Sequence, residues 1–243
     1  MVKIALFLGC AATHLVPDIK DSWVNVLHII FDKFDIIGID DCCGMPFLLS
    51  GDIDRAEKRA KELLSELNLY DLVITGCPSC YRMFSYFYPE KLGIFPKFAS
   101  RHLVSVLCEG IKNGKIKIEK EVNIRVTFHD SCELARHMDI IEEPRFVLNS
   151  IPGIELVEMK LNKKLSTCCG GGGLMRMFFP KISQEIAIKK ILEEIIPLNI
   201  DVLVTSCPFC MYVFNDAIRA MGNNNGLRVM DISELVLMAV SKK

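Results

Sequence analysis

The chain has 243 residues, with 29 Lys and Arg against 30 Asp and Glu for a net charge of -1, and 51% of it is hydrophobic against 24% charged. That balance excludes a disordered chain, and with no long basic run it argues against nucleic acid or an anionic membrane surface as the main partner. No apolar run approaches the ~20 residues of a membrane-spanning helix, and the length allows one large domain or two small ones.

In chain order, the first apolar stretch runs from Ile4 to Leu8 and ends at Gly9-Cys10. It resembles a lipoprotein signal but falls short of the roughly 7–15 apolar residues such a signal needs. It reads better as a buried first strand over residues 2–8, so a cytoplasmic protein is expected. Short β-branched runs then alternate with helical periodicity. Further strands are expected at 35–39 and 72–75, and helices at 18–31, at 52–67 and after Pro78. Beyond a polar stretch at 113–123, strands fit 124–128, 154–158 and 202–205. Helices fit 143–150, 181–195 and 208–221. A strand near 227–230 and a helix from Ser233 close the chain, with a loop at Gly222–Gly226. Such alternation predicts an α/β fold with parallel sheets flanked by helices.

Eleven cysteines are many for a cytoplasmic chain, and stable disulfides are rare there. Their placement shows an internal repeat. Residues 71–81, "DLVITGCPSCY", and 201–211, "DVLVTSCPFCM", share five of eleven positions. The doublets in "DCCGMP" and "TCCGGG" correspond, as do Cys10 and Cys132. Each half then carries five cysteines in one order: Cys10, Cys42, Cys43, Cys77 and Cys80, then Cys132, Cys168, Cys169, Cys207 and Cys210. A fixed order repeated at a fixed period implies two related Rossmann-like half-domains, 1–113 and 124–243, joined by a pseudo-twofold repeat. Cys108 alone falls outside the pattern and reads as a core thiol.

The cysteines Cys10, Cys77, Cys132 and Cys207 follow strands, and ligands of open α/β sheets bind at that edge. Pro78 and Pro208 suit first helical positions, which puts Cys77 and Cys207 at helix N-termini, where thiolate is favoured. A tetrahedral zinc site uses four ligands, and so do the common iron–sulfur clusters, so five thiols per half exceed either. Spacing alone reaches two metal or redox centres. Iron–sulfur clusters, zinc and a metal-free thiol relay all remain open.

Two copies of C…CCG…CxxC resemble the CCG-domain proteins, a family that includes the disulfide-cleaving subunit of heterodisulfide reductase, the iron–sulfur subunit of glycolate oxidase and a lactate utilisation protein. The likeness covers essentially the whole chain, and "FHDSCELAR", "CCGGGG" and "DVLVTSCPFC" carry it most closely. It implies a non-cubane [4Fe–4S] cluster on each set of five cysteines, the two flanking a small-molecule disulfide that is cleaved reductively. It implies as partners a ferredoxin-type iron–sulfur subunit and a flavoprotein. Lactate utilisation proteins often lack cysteines in their first repeat, whereas this chain keeps all ten, which favours the heterodisulfide reductase type. An electron-transfer subunit of a lactate- or glycolate-oxidising complex is the alternative within the redox class. A zinc-stabilised, non-catalytic interaction module is the alternative outside it.

Among other residues, Gly44, Gly170 and Gly171 follow the doublets and are expected to let the backbone approach a cluster and turn N–H groups towards it. The Gly170–Gly173 run lacks the Lys-Ser/Thr of a phosphate loop. His129 and His14 lie near Cys132 and Cys10. Each reads equally as a proton donor or as a satisfied buried histidine. Met175, Met177, Phe178 and Phe179 are expected to pack, with a partner-facing patch as the alternative.

Overall fold

The computed structural model describes residues 2–222 and 226–241. Asn223, Asn224 and Asn225, the centre of the expected loop, lie outside the described residues. Two four-stranded, all-parallel sheets are built from successive parts of the chain. The first has strands β1 (Ile4–Phe7), β2 (Asp35–Ile37), β3 (Leu72–Thr75) and β4 (Ala99–His102) in the order β2-β1-β3-β4. The second has β5 (Ile124–His129), β6 (Ile154–Leu156), β7 (Val202–Thr205) and β8 (Arg228–Asp231) in the order β6-β5-β7-β8. The expected α/β class and twofold repeat are therefore present.

The helices are α1 (Ile19–Ile30), α2 (Met45–Leu49), α3 (Ile53–Leu67), α4 (Pro78–Arg82), α5 (Tyr88–Leu92) and α6 (Leu103–Lys112), then α7 (Cys132–Ala135), α8 (Glu142–Asn149), α9 (Met175–Phe178), α10 (Pro180–Lys190), α11 (Pro208–Ala220) and α12 (Ile232–Ala239). The strand β4 and helix α6 are not among the sequence-based expectations. "ASRH" lacks the β-branched run of its neighbours, and as an edge strand it is only half covered. The helix expected over 181–195 ends at Lys190 and continues as a π-helical turn, Ile191–Ile195.

Strand alternation sorts the core into layers. Leu6, Val126, Phe128 and Val204 face a core shared by both halves, with Trp23, Leu107, Val147 and Leu235. The pairs α6 with α8 and α1 with α12 meet there. Trp23 is fully buried, and its Nε1 donates to Asp231 Oδ1 of the other half at 3.3 Å. The opposite face of β1 and β3 packs Ala5, Phe7 and Val73 beside Cys43, Cys77 and Cys80. The opposite face in the second half packs Leu203, Val213 and Phe214 beside Cys169, Cys207 and Cys210. Cys108 belongs to the shared core, as expected.

Candidate metal centre

Each set of five cysteines collects at the carboxyl ends of its strands. Gly9 and Cys10 follow β1, with Gly9 at φ +74, and Leu8 N–H donates to Ile37 O across to β2. Cys77 and Cys207 are the N-caps of α4 and α11, with Pro78 and Pro208 opening the helices as the sequence predicts. Cys80 and Cys210 lie one turn further on. Cys210 N–H donates to Cys207 Sγ at 3.4 Å.

The doublets sit in loops turned by glycine. Gly44 and Gly170 both have φ +90, a conformation glycine adopts at no steric cost. Their N–H groups donate to Cys42 Sγ at 3.4 Å and to Cys168 Sγ at 3.3 Å, while Gly171 N–H donates to Cys169 Sγ at 3.4 Å. A methyl on Gly170 would lie 2.6 Å from Ser183 O, and one on Gly171 would lie 2.8 Å from Val213.

A cation steadies each loop from outside. Arg59 pairs with Asp41 and donates from Nε to Cys42 O at 2.9 Å. In the second half Lys190 Nζ donates to Thr167 Oγ1 at 2.7 Å and pairs with Glu194 at 2.8 Å. Asp41 and Thr167 hold the same place, one residue before the doublet. Arg59 and Lys190 are missing from the sequence-based site because they lie on helices some 20 residues downstream. The polar residue ahead of each doublet is the only local sign of them.

The thiols of each half lie near enough, along one chain of neighbours, to shift one another's ionisation. In the first it runs Cys10, Cys42, Cys43, Cys80, Cys77. In the second it runs Cys132, Cys168, Cys169, Cys210, Cys207. The Cys169 Sγ to Cys210 Sγ distance is 3.3 Å. All ten predicted cysteines are thus gathered, five by five, and all are free thiols.

Charge is shared unequally along these chains. Hydrogen bonds from the Cys10 and Cys43 thiols pull Cys42 down to about 3, helped by Gly44 N–H and the Arg59 guanidinium. Hydrogen bonds from Cys132 and Cys169 pull Cys168 down to about 2, helped by Gly170 N–H. Cys77 is also lowered, by the Cys80 thiol and by N–H groups of the α4 first turn. The neighbours are pushed up: Cys10 and Cys43 by Cys42, Cys80 by Cys43, Cys132 and Cys169 by Cys168, and Cys210 by Cys169, each reinforced by burial. Five thiolates this close repel one another, so full ionisation needs a bound cation.

Segments that carry the two sets meet between the halves. Helix α4 contacts α7, and α11 contacts the turn after Cys10. Arg82 on α4 donates to both carboxylate oxygens of Glu133, the residue after Cys132, at 3.0 and 3.2 Å. Between the halves lies a cavity of about 250 Å³, lined by the five cysteines of the first set and by Gly171, Gly172, Gly173, Met177 and Phe209 of the second half.

His14 lines this cavity and stands 3.4 Å from Asp40. His129 is buried in the second half, against the Phe214 ring at 4.9 Å between centroids. Burial pushes it down to about 3, so it is a neutral imidazole. Met177, Phe178 and Phe179 are 66%, 63% and 56% exposed. The expectation of packing is overturned for these three, on or directly after the short helix that follows the left-handed Leu174 at φ +64, whereas Met175 is half-buried.

The sequence profile of the cysteine-rich CCG domain matches this chain twice, over residues 4–85 and 126–215. The chain belongs to the CCG family. Each matched stretch holds three of the four strands of one sheet and one five-thiol set. A fumarate reductase (CoM/CoB) subunit of Methanothermobacter marburgensis is 35% identical over 239 residues, covering 98% of this CCG protein and 47% of the relative. A subunit of the dihydromethanophenazine:CoB–CoM heterodisulfide reductase of Methanosarcina barkeri is 31% identical over 243 residues, covering 98% and 59%. The EtfAB:quinone oxidoreductase of Syntrophomonas wolfei is 27% identical, covering 97% and 34%. The CCG chain thus spans about half the length of the first two relatives. No helix among the described residues is long and apolar enough to cross a membrane.

Proposed function

We propose that this CCG protein is the iron–sulfur subunit of a redox complex that reduces a small-molecule disulfide. Each five-cysteine set holds one [4Fe–4S] cluster, of the non-cubane type. The observation that carries this reading is the pair of matching five-thiol sets, each at a sheet's carboxyl edge, with the cavity between the halves opening onto the first.

The residues present fit such a group. Sulfur-rich donor sets suit iron–sulfur clusters, and five thiols per half exceed the four of a zinc site. Cys10, Cys42, Cys43, Cys77 and Cys80 hold one cluster, and Cys132, Cys168, Cys169, Cys207 and Cys210 the other. Once bound, a cluster supplies one-electron redox chemistry. The protein does the rest. Gly44, Gly170 and Gly171 direct N–H groups at ligand sulfurs, a contact that tunes potential. Arg59 and Lys190 hold the doublet loops in place. The cavity between the halves admits the disulfide, and its apolar wall of Met45, Leu49, Met177 and Phe209 limits water there.

The reaction breaks one S–S bond with two electrons and two protons and releases two thiols. Electrons come from a ferredoxin-type iron–sulfur subunit and a flavoprotein, in the cytoplasm. The exposed Met177, Phe178 and Phe179 beside the cavity suit a docked partner. Residues 1–113 and 124–243 form the two half-domains. Iron-loaded protein supplied with reduced viologen should convert a disulfide into free thiols, counted by a thiol reagent. Iron-loaded protein that releases none would contradict the reading.

The likeness to an EtfAB:quinone oxidoreductase, whose name carries no disulfide, supports a second reading as an electron-transfer subunit of an oxidising complex. Co-purification with a flavin-dependent oxidase would favour it over disulfide reduction.

A further inference from the structure

The two CCG halves match cysteine for cysteine, but the walls behind their cysteines do not match. The strand registers fix the correspondence. Ala5 pairs with Val73 of β3 in the first sheet, and Thr127 pairs with Leu203 of β7 in the second. Since Leu72–Thr75 and Val202–Thr205 are repeat equivalents, Ala5 corresponds to Thr127, Phe7 to His129 and Gly9 to Ser131. Ala5 and Phe7 line the apolar cluster that holds Cys43, Cys77 and Cys80. Phe7 meets Phe84 edge-on at 5.1 Å, just as His129 meets Phe214 at 4.9 Å. The second half has therefore placed an imidazole where the first has a phenyl ring.

Among the described residues this imidazole has no hydrogen-bond partner. Among the described residues, both His129 ring nitrogens are buried without a hydrogen bond, and so are Thr127 Oγ1 and Ser131 Oγ. His129 is 1% exposed. A buried polar group left unpaired is costly, and native proteins rarely tolerate one without a function for it. A ring nitrogen of His129 and the sulfurs of Cys169 and Cys210 all lie within 4.8 Å of one another. The side chain is thus aimed at the second thiol set.

We propose that His129 is a positioning residue for the second centre: its ring N–H donates a hydrogen bond to a sulfur there, which makes the two centres inequivalent. The inference rests on the iron–sulfur reading above. A hydrogen bond to sulfur favours the more negative, reduced form. The second centre should therefore have the higher midpoint potential and take the first electron.

The test uses anaerobic, iron-loaded protein followed by EPR during redox titration, with Cys43→Ser identifying which signal belongs to the first centre. His129→Phe restores the repeat and should lower the midpoint of the second centre while leaving the first unchanged. Phe7→His should raise the first. With ¹⁵N-histidine, the second centre should show a weak nitrogen coupling that His129→Phe abolishes. If His129→Phe fails to load its second centre, the coupling in the unaltered protein and the potential of His129→Gln, which keeps an N–H, decide. Unchanged midpoints with no coupling would overturn the proposal. A strong coupling, the sign of direct ligation, would overturn it too. Iron in both halves with these results removes only the role of His129, whereas protein that binds no iron removes the parent reading as well.

Discussion

Cys42 and Cys168 hold the same place in the two thiol chains, and both are pulled far below an ordinary thiol by the neighbours that donate to them. Cys168 is also the exposed member of its set. In reduced, metal-free protein, iodoacetamide should label Cys168 first. An ordinary thiol, with a pKa near 8.5, reacts about tenfold faster per pH unit up to that value. Cys168, held at about 2, is already thiolate, so its rate should stay flat from pH 5 to 8. The buried, raised Cys43 and Cys169 should resist until the chain unfolds. Mass spectrometry of the labelled sites checks this, and a Cys168 rate that climbs with pH contradicts it. At this scale the sequence shows which residues matter, because ten cysteines repeat in order. It hides the role of His129. A histidine near a cysteine reads equally as core or as donor, and only the strand register reveals that its counterpart is Phe7.

At the scale of the element, the glycines after the doublets separate two constraints. Gly44 and Gly170 share φ +90, so alanine at either carries backbone strain of about 1–3 kcal/mol. They differ in space. A methyl on Gly44 has ordinary contacts, the nearest at 3.7 Å, while one on Gly170 meets the Ser183 backbone oxygen at 2.6 Å. Gly170→Ala should therefore lower the unfolding midpoint more than Gly44→Ala and cost the second centre its iron. Denaturant titrations with iron counts on both variants measure this, and equal losses would count against it. The strands β1, β3, β5 and β7 are readable as apolar runs because both faces are covered. The polar edge strand β4 is not, although the expected strand near 227–230 calls for a counterpart in the first half. The exposed α9 is also unreadable: Met and Phe in a short helical pattern suggest core, and the left-handed turn at Leu174 gives no signal in a leucine.

At the scale of the whole molecule, the shared core ties the halves and so fixes where the two thiol sets lie relative to each other. Trp23 is the largest side chain in it, touching Gly76 of its own half and donating to Asp231 of the other. Trp23→Ala should destabilise the chain by about 3–5 kcal/mol and loosen both centres together, seen as a single lowered transition. Loss confined to the first half would show that the halves fold independently.

Two iron–sulfur centres on two separate cysteine sets would give the protein a definite iron content, and a count of metal in anaerobically prepared protein measures it. The protein should be brown with about eight irons per chain, as two four-iron clusters require, falling to about half in Cys43→Ser and in Cys169→Ser, each losing only its own half's signal. Iron-free protein with stoichiometric zinc, or loss of both centres from either single change, would contradict it.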